Sequence, residues 1–592
     1  MTKEIINPSV EYFLEVVEKT AQEKNTSRQT IFRMETSEIA GQMALWYEKV
    51  RSAVQYKEEH LLRRTTIYRI LKRLVDIEQR KTKRDLAYAL FKELVMAGHI
   101  NQSDANDELF EKVENIIARY LKALQIINSR IKSATENLKI RRWFFSLASE
   151  EIENQINPQK EKMALIYAIY ETLRPKIKFN LSRPPFPLPG SKIKGVQNLA
   201  EEYLGVGSLV EPIENSIMGE QKKASQKNCF FDEKKLLNLL IYLAVFRNLR
   251  KSDRAMIRFL VFNIYFPKWT SLKEQNENEI LEAIKLLKRK RFEMEVIAEH
   301  PLMPKILFPI KKYMLCSAFF YEAVMDNPAE ARAVTLQEYL LWDKVKNKCN
   351  LRYLAESKKL KKRIGRGILY VFLTKMIVAI LLEVPYEMML KAKSIEYKSL
   401  AINLFFPPIL LSLIASSARK PDEENTKEIL KGVSTLVYRA KLEEELKTIN
   451  ISDRESAWAE RMLDLFYITV LFTVLYLLIK LLGYLNFNIV ATLIFLIFTG
   501  TVSFFGALIR QSTRDLVVTK DKEGIFSLIF DTALLPFVRI GRLLSVKFSR
   551  INVFIFILDF LVEAPFKFII RAFEAWIDFL RKKRDEVERQ FD

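Results

Sequence analysis

The chain has few of the residues that build metal centres and disulfide frameworks. Its 592 residues include 3 cysteines and 3 histidines. The cysteines lie far apart and form no CxxC pair, which argues against a disulfide framework and a structural zinc site. The histidines occur at neither HExxH nor HxxH spacing, so we expect no metal and no cofactor. These residues are Cys229, Cys316, Cys349, His60, His99 and His300.

The sequence also lacks the motifs that hold phosphates, nucleotides or calcium. It contains no GxxxxGK[ST] loop, no GxGxxG after a strand, no GxSxG elbow and no DxDxDG loop. Carboxylates are numerous, but they fall on patterned helices, where they are ordinary surface charges. We therefore expect that the protein is not an enzyme.

Glycine and proline are scarce, at 15 and 19 residues, while leucine, isoleucine, lysine, glutamate and arginine are abundant. This composition favours long helices over a fold with many tight turns, and it predicts an all-α protein. A chain of this length is too large for one core. The N-terminus carries acidic residues and no apolar signal segment, so we expect the first domain to stay in the cytoplasm.

Two long apolar runs are the clearest feature that the sequence does contain. They are Leu465–Leu482 and Phe487–Ile509, separated by four residues. Because a hydrocarbon core of ~30 Å needs about 20 apolar residues at ~1.5 Å each, both runs can cross a bilayer. The second run has no charge, and the first has only Lys480, near its end. The short connection predicts an antiparallel transmembrane hairpin.

A second predicted hairpin precedes the first and carries two charges. Its spans are Gly367–Tyr386, with Lys375 and Glu383, and Leu400–Ala418, which Pro407 and Pro408 should kink. A charge inside a membrane is a functional-site hypothesis. At about 100° per residue, Glu383 lies about 80° around the helix from Lys375, so we expect their partners on another helix or subunit. The alternative is a shallow span in which Lys375 reaches the interface.

Flanking charges set the predicted topology. A basic cluster directly precedes the first span, and such clusters stay in the cytoplasm. It comprises Lys358, Lys359, Lys361, Lys362, Arg363 and Arg366. Four spans with both termini in the cytoplasm satisfy almost every cluster, which predicts a multi-pass protein of the cell (inner or plasma) membrane. The formal net charge of +22 adds anionic lipid head groups as an expected partner.

These patterns divide the chain into seven regions. They are a helical cytoplasmic domain (1–180), a proline-containing linker and loop (181–230), a second helical cytoplasmic region (231–365), transmembrane hairpin 1 (366–418), a cytoplasmic amphipathic helix (419–461), transmembrane hairpin 2 (462–509), and interfacial amphipathic helices with a charged tail (510–592).

Within the first domain, basic residues interleave with apolar ones at helical spacing. They are Arg63, Arg64, Arg69, Lys72, Arg73, Arg80, Lys81, Lys83 and Arg84. One interpretation is the solvated face of a helix that packs on a core. The other is a surface that docks on lipid phosphates or nucleic acid, although no nucleic-acid signature accompanies it.

Two further patterns concern contacts near the membrane. Small residues of the fourth span, namely Gly500, Ser503, Gly506 and Ala507, form a face that another helix could approach closely. After Ile525, narrow polar stripes, one of which runs from Asn552 to Lys582, predict two interfacial or re-entrant helices. The alternative is that these helices pack on the spans or on a second subunit.

The leading functional hypothesis is a non-enzymatic membrane scaffold that recruits a protein partner or forms a homo-oligomer. Most of the chain is helical surface, and none of it matches catalytic machinery. The alternative is a transporter or channel component that uses Lys375 and Glu383. A third hypothesis places nucleic acid at the basic residues between Arg63 and Arg84.

Overall fold

The computed structural model describes residues 5–26, 59–77, 82–100, 106–131, 133–181, 233–386, 397–417, 421–446, 448–452, 457–519 and 525–550, with positions 572, 576, 579, 580 and 583. This part of the chain contains 18 α-helices and two short strands. The predicted all-α fold is confirmed. Arg80, Lys81 and the polar stripe predicted between Asn552 and Lys582 lie outside the described side chains.

The described elements are numbered in chain order. The first half contains α1 (Pro8–Thr26), α2 (Glu59–Ile77), α3 (Lys83–Met96), α4 (Asp107–Arg130), α5 (Ala134–Ile156), α6 (Lys160–Leu173), β1 (Ile177–Asn180), α7 (Glu233–Leu249), α8 (Arg254–Tyr265) and α9 (Glu277–Ala298). The second half contains α10 (Leu302–Val324), α11 (Ala331–Thr335), α12 (Glu338–Val378), α13 (Tyr397–Ser416), α14 (Glu423–Val437), α15 (Arg439–Glu445), β2 (Ile449–Ser452), α16 (Ala457–Tyr484), α17 (Ile489–Arg514) and α18 (Ile525–Arg550).

Side-chain caps fix several helix starts in the body of the protein. Thr82 and Asp85 form a reciprocal capping box at the start of α3, which satisfies two backbone donors. Asn106 accepts from the backbone of Leu109 and caps α4. Asp253 does the same for α8, and Asp422 for α14. Such caps stabilise a helix end by about 1 kcal/mol each.

One hydrophobic core joins α1–α11, the first part of α12, α14 and both strands, and we call this unit the body. Its centre is aromatic, because Trp269 contacts the rings of Tyr120, Phe144 and Phe262 at 5.2–5.6 Å. The indole N–H of Trp269 donates to the hydroxyl of Tyr120. Residues of both predicted cytoplasmic regions therefore contribute to the same core.

The two strands were not predicted from the sequence. β1 and β2 pair in parallel, with Ile177 opposite Ile449 and Asn180 opposite Ser452. Each strand has four residues, which is too short for a recognisable alternation of apolar and polar side chains. The hydrogen bonds between β1 and β2 hold the segment that precedes α16 against the segment that follows α6.

Four helices are long and apolar enough to cross a membrane, as the sequence predicted. Candidate span 1 is the last part of the continuous helix Glu338–Tyr386, and candidate span 2 lies within α13. Candidate spans 3 and 4 are Arg461–Tyr484 and Ile489–Gln511. Spans 1, 2 and 4 share a small apolar core of their own. Span 3 is almost entirely exposed along its length.

A buried asparagine joins the body to the segment that follows candidate span 4. The carboxamide of Asn425, on α14, donates to the carbonyl of Leu516 at 2.9 Å and to the hydroxyl of Tyr353 at 2.8 Å. Its oxygen accepts from the backbone N–H of Val518 at 2.6 Å. Asn425 therefore fastens residues 516–518 to α14 and α12.

The last described helix, α18, packs along candidate span 4. Both guanidinium nitrogens of Arg510 bond to the carboxylate of Asp531 at 2.5 Å. Two turns or more further along α18, Gly541 lies against Gly500. The two helices are therefore antiparallel, and this register brings the end of α18 level with the start of α17. Of the two alternatives considered above for this region, these contacts support packing on the spans.

Candidate functional site

Lys375 and Glu383 form a direct ion pair inside the bundle of candidate spans. The ammonium nitrogen Nζ of Lys375 donates to Oε1 of Glu383 at 2.5 Å. The two residues are 0% and 4% exposed. Both lie on one helix, so the expectation of a partner on another helix or subunit is wrong.

A π-helical turn explains why these two residues meet. The helix changes from α to π geometry at Ala379–Glu383. A π turn adds one residue, so Glu383 takes the angular place that residue i+7 has in a regular helix. That place is about 20° from Lys375 instead of about 80°. The extra residue thus rotates the carboxylate onto the face of the ammonium group.

The pair lies on the packed face of candidate span 1. Every fourth residue from Gly367 through Val371, Lys375 and Ala379 to Glu383 is buried. At Gly367, an added Cβ would be 2.8 Å from the ring of Phe505 on candidate span 4, so the helices are in close contact there.

An aromatic ring completes the surroundings of the lysine. The ring centre of Phe498, on candidate span 4, is 4.9 Å from Nζ of Lys375. A ring at this distance attracts a cation through its quadrupole. Among the described residues, Glu383 is the only charged group that interacts with Lys375.

Candidate span 2 contributes a buried asparagine and two prolines. Asn403 is 0% exposed, and neither its Nδ2 nor its Oδ1 has a hydrogen-bond partner among the described residues. Pro407 and Pro408 lie one turn further on, inside a helix that continues to Ser416. Because proline has no N–H, the carbonyls of Asn403 and Leu404 lose their partners in the helix.

The predicted small-residue face of candidate span 4 contacts two different helices. Gly506 packs against Ile414 of candidate span 2, where an added Cβ would be 2.8 Å from a side-chain carbon. Gly500 instead faces α18. Ser503 is fully buried and its hydroxyl has no partner in the described structure, while Ala507 is half-buried.

The predicted basic surface does not behave as one exposed patch. Arg64 is buried, donates to Asp253, and pairs with Glu150 at 3.7 Å. Arg63 pairs with Glu59 and Glu153. The other described members are placed as follows: Arg73 pairs with Glu93, Lys83 pairs with Glu274, Arg69 is half-buried, and Lys72 and Arg84 are exposed.

The carboxyl groups that pair with Arg63 and Arg64 include two whose pKa is raised. Burial raises the pKa of Glu150 to about 7, although Arg64 and Arg250 act in the opposite direction. Burial also raises the pKa of Glu153 to about 8, against the effect of Arg63. Desolvation of the charged form therefore outweighs attraction by the arginines.

The two described cysteines are unreactive packing residues. Cys316 and Cys349 are buried and unbridged, and burial raises the pKa of each thiol to about 12. A thiol that stays protonated is a poor nucleophile and a poor metal ligand. Within the described ranges, no group of three or more His, Cys, Asp or Glu side chains could hold a metal ion.

Sequence reasoning missed two buried polar residues of the candidate spans, Asn403 and Thr499. Thr499 is buried, and its hydroxyl also lacks a partner in the part of the chain that the structure describes. A signal for Asn403 was present, because it is the one carboxamide within the apolar stretch Leu400–Ala418. A polar side chain in such a stretch needs a partner or a role.

Fold and site together define an all-α protein with a large helical body, four helices that could cross a membrane, and a buried ion pair within the first of those four helices. No protein-family model matches the chain, and the searches of curated proteins and of solved structures gave no match either.

Proposed function

We propose that the protein is a non-enzymatic membrane scaffold, whose body is held at the cytoplasmic face and recruits a protein partner. One observation carries this proposal. The helix Glu338–Tyr386 starts in the core of the body, where Leu341, Val345 and Cys349 are buried, and continues without a break into candidate span 1. A continuous helix transmits position, so the body has a fixed orientation relative to the bilayer.

The proposed orientation places the N-terminus and the body in the cytoplasm of a cell with an inner or plasma membrane. The basic cluster from Lys358 to Arg366 lies at the junction of body and span, next to anionic head groups. A C-terminus on the same side requires the chain after Arg550 to return, because α18 runs antiparallel to candidate span 4.

Site-specific photo-crosslinking in intact cells tests the recruiting role. A photoreactive residue replaces Tyr167, which is half exposed on the body and stacks edge-on against Tyr12. The matched control replaces Phe13, which is fully buried and directly follows Tyr12 on α1. We expect a discrete protein adduct from position 167 and none from position 13.

Two results would contradict the scaffold. One is the absence of any protein adduct from Tyr12, Tyr167 and the highly exposed Phe308. The other is co-purification of no partner from cells in which deletion of the protein alters solute uptake. The second result would support transport instead.

A second candidate function is a transporter or channel component, and the Lys375–Glu383 pair favours it. A buried charge pair is a weak source of stability, because desolvation offsets much of the attraction. A role of the two charges in the passage of a solute would explain why the protein retains a pair that costs desolvation free energy. Flux into vesicles containing the wild type, Lys375→Ala and Glu383→Ala tests this. If both variants retain the wild-type flux, the Lys375–Glu383 pair is not part of the transport pathway.

Nucleic-acid binding has no observation in its favour. Arg63 and Arg64 direct their charges into the body, which leaves fewer exposed cations than the sequence suggested. Retention of the full-length protein on DNA or RNA in low salt, and its loss in high salt, would reopen this hypothesis.

A further inference from the structure

Several buried polar atoms of the candidate spans have no hydrogen-bond partner among the residues that the structure describes. Besides both carboxamide atoms of Asn403, they include Oγ1 of Thr499 and Oγ of Ser503. All three residues are 3% exposed or less. An unmet buried donor or acceptor costs about 1–3 kcal/mol. This concentration of unmet groups indicates a small ligand that hydrogen-bonds to them.

Contacts between candidate spans 1 and 2 fix their register. An added Cβ at Gly367 would be 3.3 Å from the side chain of Leu411. Further along, the ring centres of Phe372 and Phe405 are 5.8 Å apart. As the residue number rises on candidate span 1, it falls on candidate span 2, so the two helices are antiparallel.

This register places Asn403 opposite the ion pair. Lys375 is eight residues after Gly367, and Asn403 is eight residues before Leu411, so the two lie at the same level. Both belong to the buried faces through which the helices touch. Phe498 brings Thr499 of candidate span 4 to the same region, because its ring contacts Lys375.

The groups at the level of Lys375 and Asn403 include both hydrogen-bond donors and hydrogen-bond acceptors. A lysine ammonium has three N–H donors, of which one is directed at Oε1 of Glu383. Oε2 of Glu383, Oδ1 of Asn403 and the carbonyls freed by Pro407 and Pro408 are acceptors. Water both donates and accepts, and it carries no charge into an apolar bundle.

The charges of the pair restrict the chemical class of the ligand further. A metal ion needs several oxygen ligands and would lie beside the ammonium of Lys375, and an anion would lie beside the carboxylate of Glu383, so each would meet a like charge. Protonation of Glu383 leaves one positive charge, on Lys375. A proton needs no coordination shell, because a carboxylate binds it covalently. Candidate spans 2 and 4 contribute no titratable side chain between residues 399 and 416 or between 489 and 509. Of the charged residues that flank these ranges, Lys398 is exposed and Arg510 pairs with Asp531.

We propose that Lys375, Glu383 and Asn403 form a hydrated proton-binding site. A hydronium ion on the bound water gives its proton to Oε2 of Glu383 and leaves a neutral water molecule. The ammonium of Lys375 stays protonated and is then stabilised by Oδ1 of Asn403 and the freed carbonyls. This inference rests on the transport candidate and names the proton as its ion.

Labelling with the hydrophobic reagent dicyclohexylcarbodiimide tests the site. The O–H of a protonated carboxyl adds across one C=N bond of the reagent, with no leaving group and no oxidant. The full-length protein in lipid vesicles is labelled over a pH series, and the Glu383 peptide is quantified by mass spectrometry. We expect an adduct at Glu383 that decreases as the pH rises, and its complete loss in Glu383→Gln.

Two variants should shift the labelling in opposite directions. Lys375→Met removes the positive charge that favours the carboxylate, so labelling should extend to higher pH. Asn403→Leu removes an acceptor for the ammonium in the protonated state. Its labelling midpoint should therefore fall by about one pH unit, a tenfold loss of proton affinity. A purely structural role would not reverse the direction between the two variants.

Three outcomes would overturn the proton site. The first is an unlabelled Glu383 in the wild type at every pH while Lys375→Met is labelled, since this variant shows that the reagent reaches the carboxyl. The second is pH-independent labelling, and the third is a shift in the same direction for both variants. If labelling follows the expected pattern but vesicles show no proton flux, the proton-binding site is supported and the transport function is contradicted.

Discussion

The backbone of Gly541 lies directly against the carbonyl oxygen of Gly500, at the point where α18 crosses α17. A Cβ added at Gly541 would overlap that carbonyl and would also be 2.6 Å from Cβ of Phe504. Both obstacles are fixed parts of the backbone or next to it, so neither can move aside without separating the helices. This contact makes α18 part of the bundle that the candidate spans form.

Substituting Gly541→Ala should therefore destabilise the bundle. Overpacking of this kind costs about 1–3 kcal/mol. Gly500→Ala is the matched control, because its nearest neighbour would be a methyl carbon of Ile540 at 3.4 Å. Thermal unfolding in detergent should show a clear loss for the first variant and little change for the second. Equal losses would mean that the helices do not meet through these glycines.

Asn425→Ala should loosen the junction between the body and candidate span 4. The substitution leaves the carbonyl of Leu516 and the N–H of Val518 without their partner, at about 1–3 kcal/mol for each buried group. Tyr353→Phe removes one bond to the same side chain and should cost less. Protease cleavage after residue 516 should be faster in Asn425→Ala, and unchanged cleavage would contradict the role of this residue.

Arg64→Ala and Lys72→Ala remove one positive charge each from the predicted basic surface, yet their effects should differ. Arg64 is buried and neutralises Glu150 and Asp253, so its loss should cost about 3 kcal/mol. Lys72 is exposed, and its loss should change the free energy of unfolding by about 0.5 kcal/mol or less. Chemical denaturation compares the two. Equal effects would restore the interpretation of one continuous exposed patch.

The candidate spans were predictable because each depends on a local property, namely about 20 consecutive apolar residues. The charges inside them were equally visible in the sequence. The partner of Lys375 was not, because the prediction assumed a constant 100° per residue, and a single π turn changes that angle. A π turn depends on tertiary packing as well as local sequence, so residues 375–386 alone gave no indication of it.

The sequence also could not predict which of the basic side chains on α2 point into the body and which point to solvent. Arg64 and Lys72 have similar sequence surroundings on one helix, α2, but Arg64 faces α5 and α8 while Lys72 faces solvent. Which face of a helix meets other helices depends on residues far away in the chain, here Glu150 and Asp253. The strands β1 and β2 were missed for the same reason, since their partners are 272 residues apart.

Stability of the body should fall as the pH rises towards about 8. Burial raises the pKa of Glu150 to about 7 and that of Glu153 to about 8, from an ordinary value of 4.5. Between the ordinary and the raised pKa values, the folded state therefore binds more protons than the unfolded state. Linkage then requires the free energy of unfolding to decrease with pH in this window, by up to about 1.4 kcal/mol per pH unit for each proton.

Glu153→Gln isolates the larger of these two contributions. Glutamine resembles the protonated acid, so this variant should lose much of the slope and be more stable than the wild type at about pH 8, where the wild type must bury a charge. Glu108→Gln is the matched control, because Glu108 is exposed and pairs with Lys112, which lowers its pKa. Denaturation curves over a pH series measure all three proteins. A wild type that gains stability between about pH 5 and 8 would show that Arg63 outweighs desolvation and keeps Glu153 ionised.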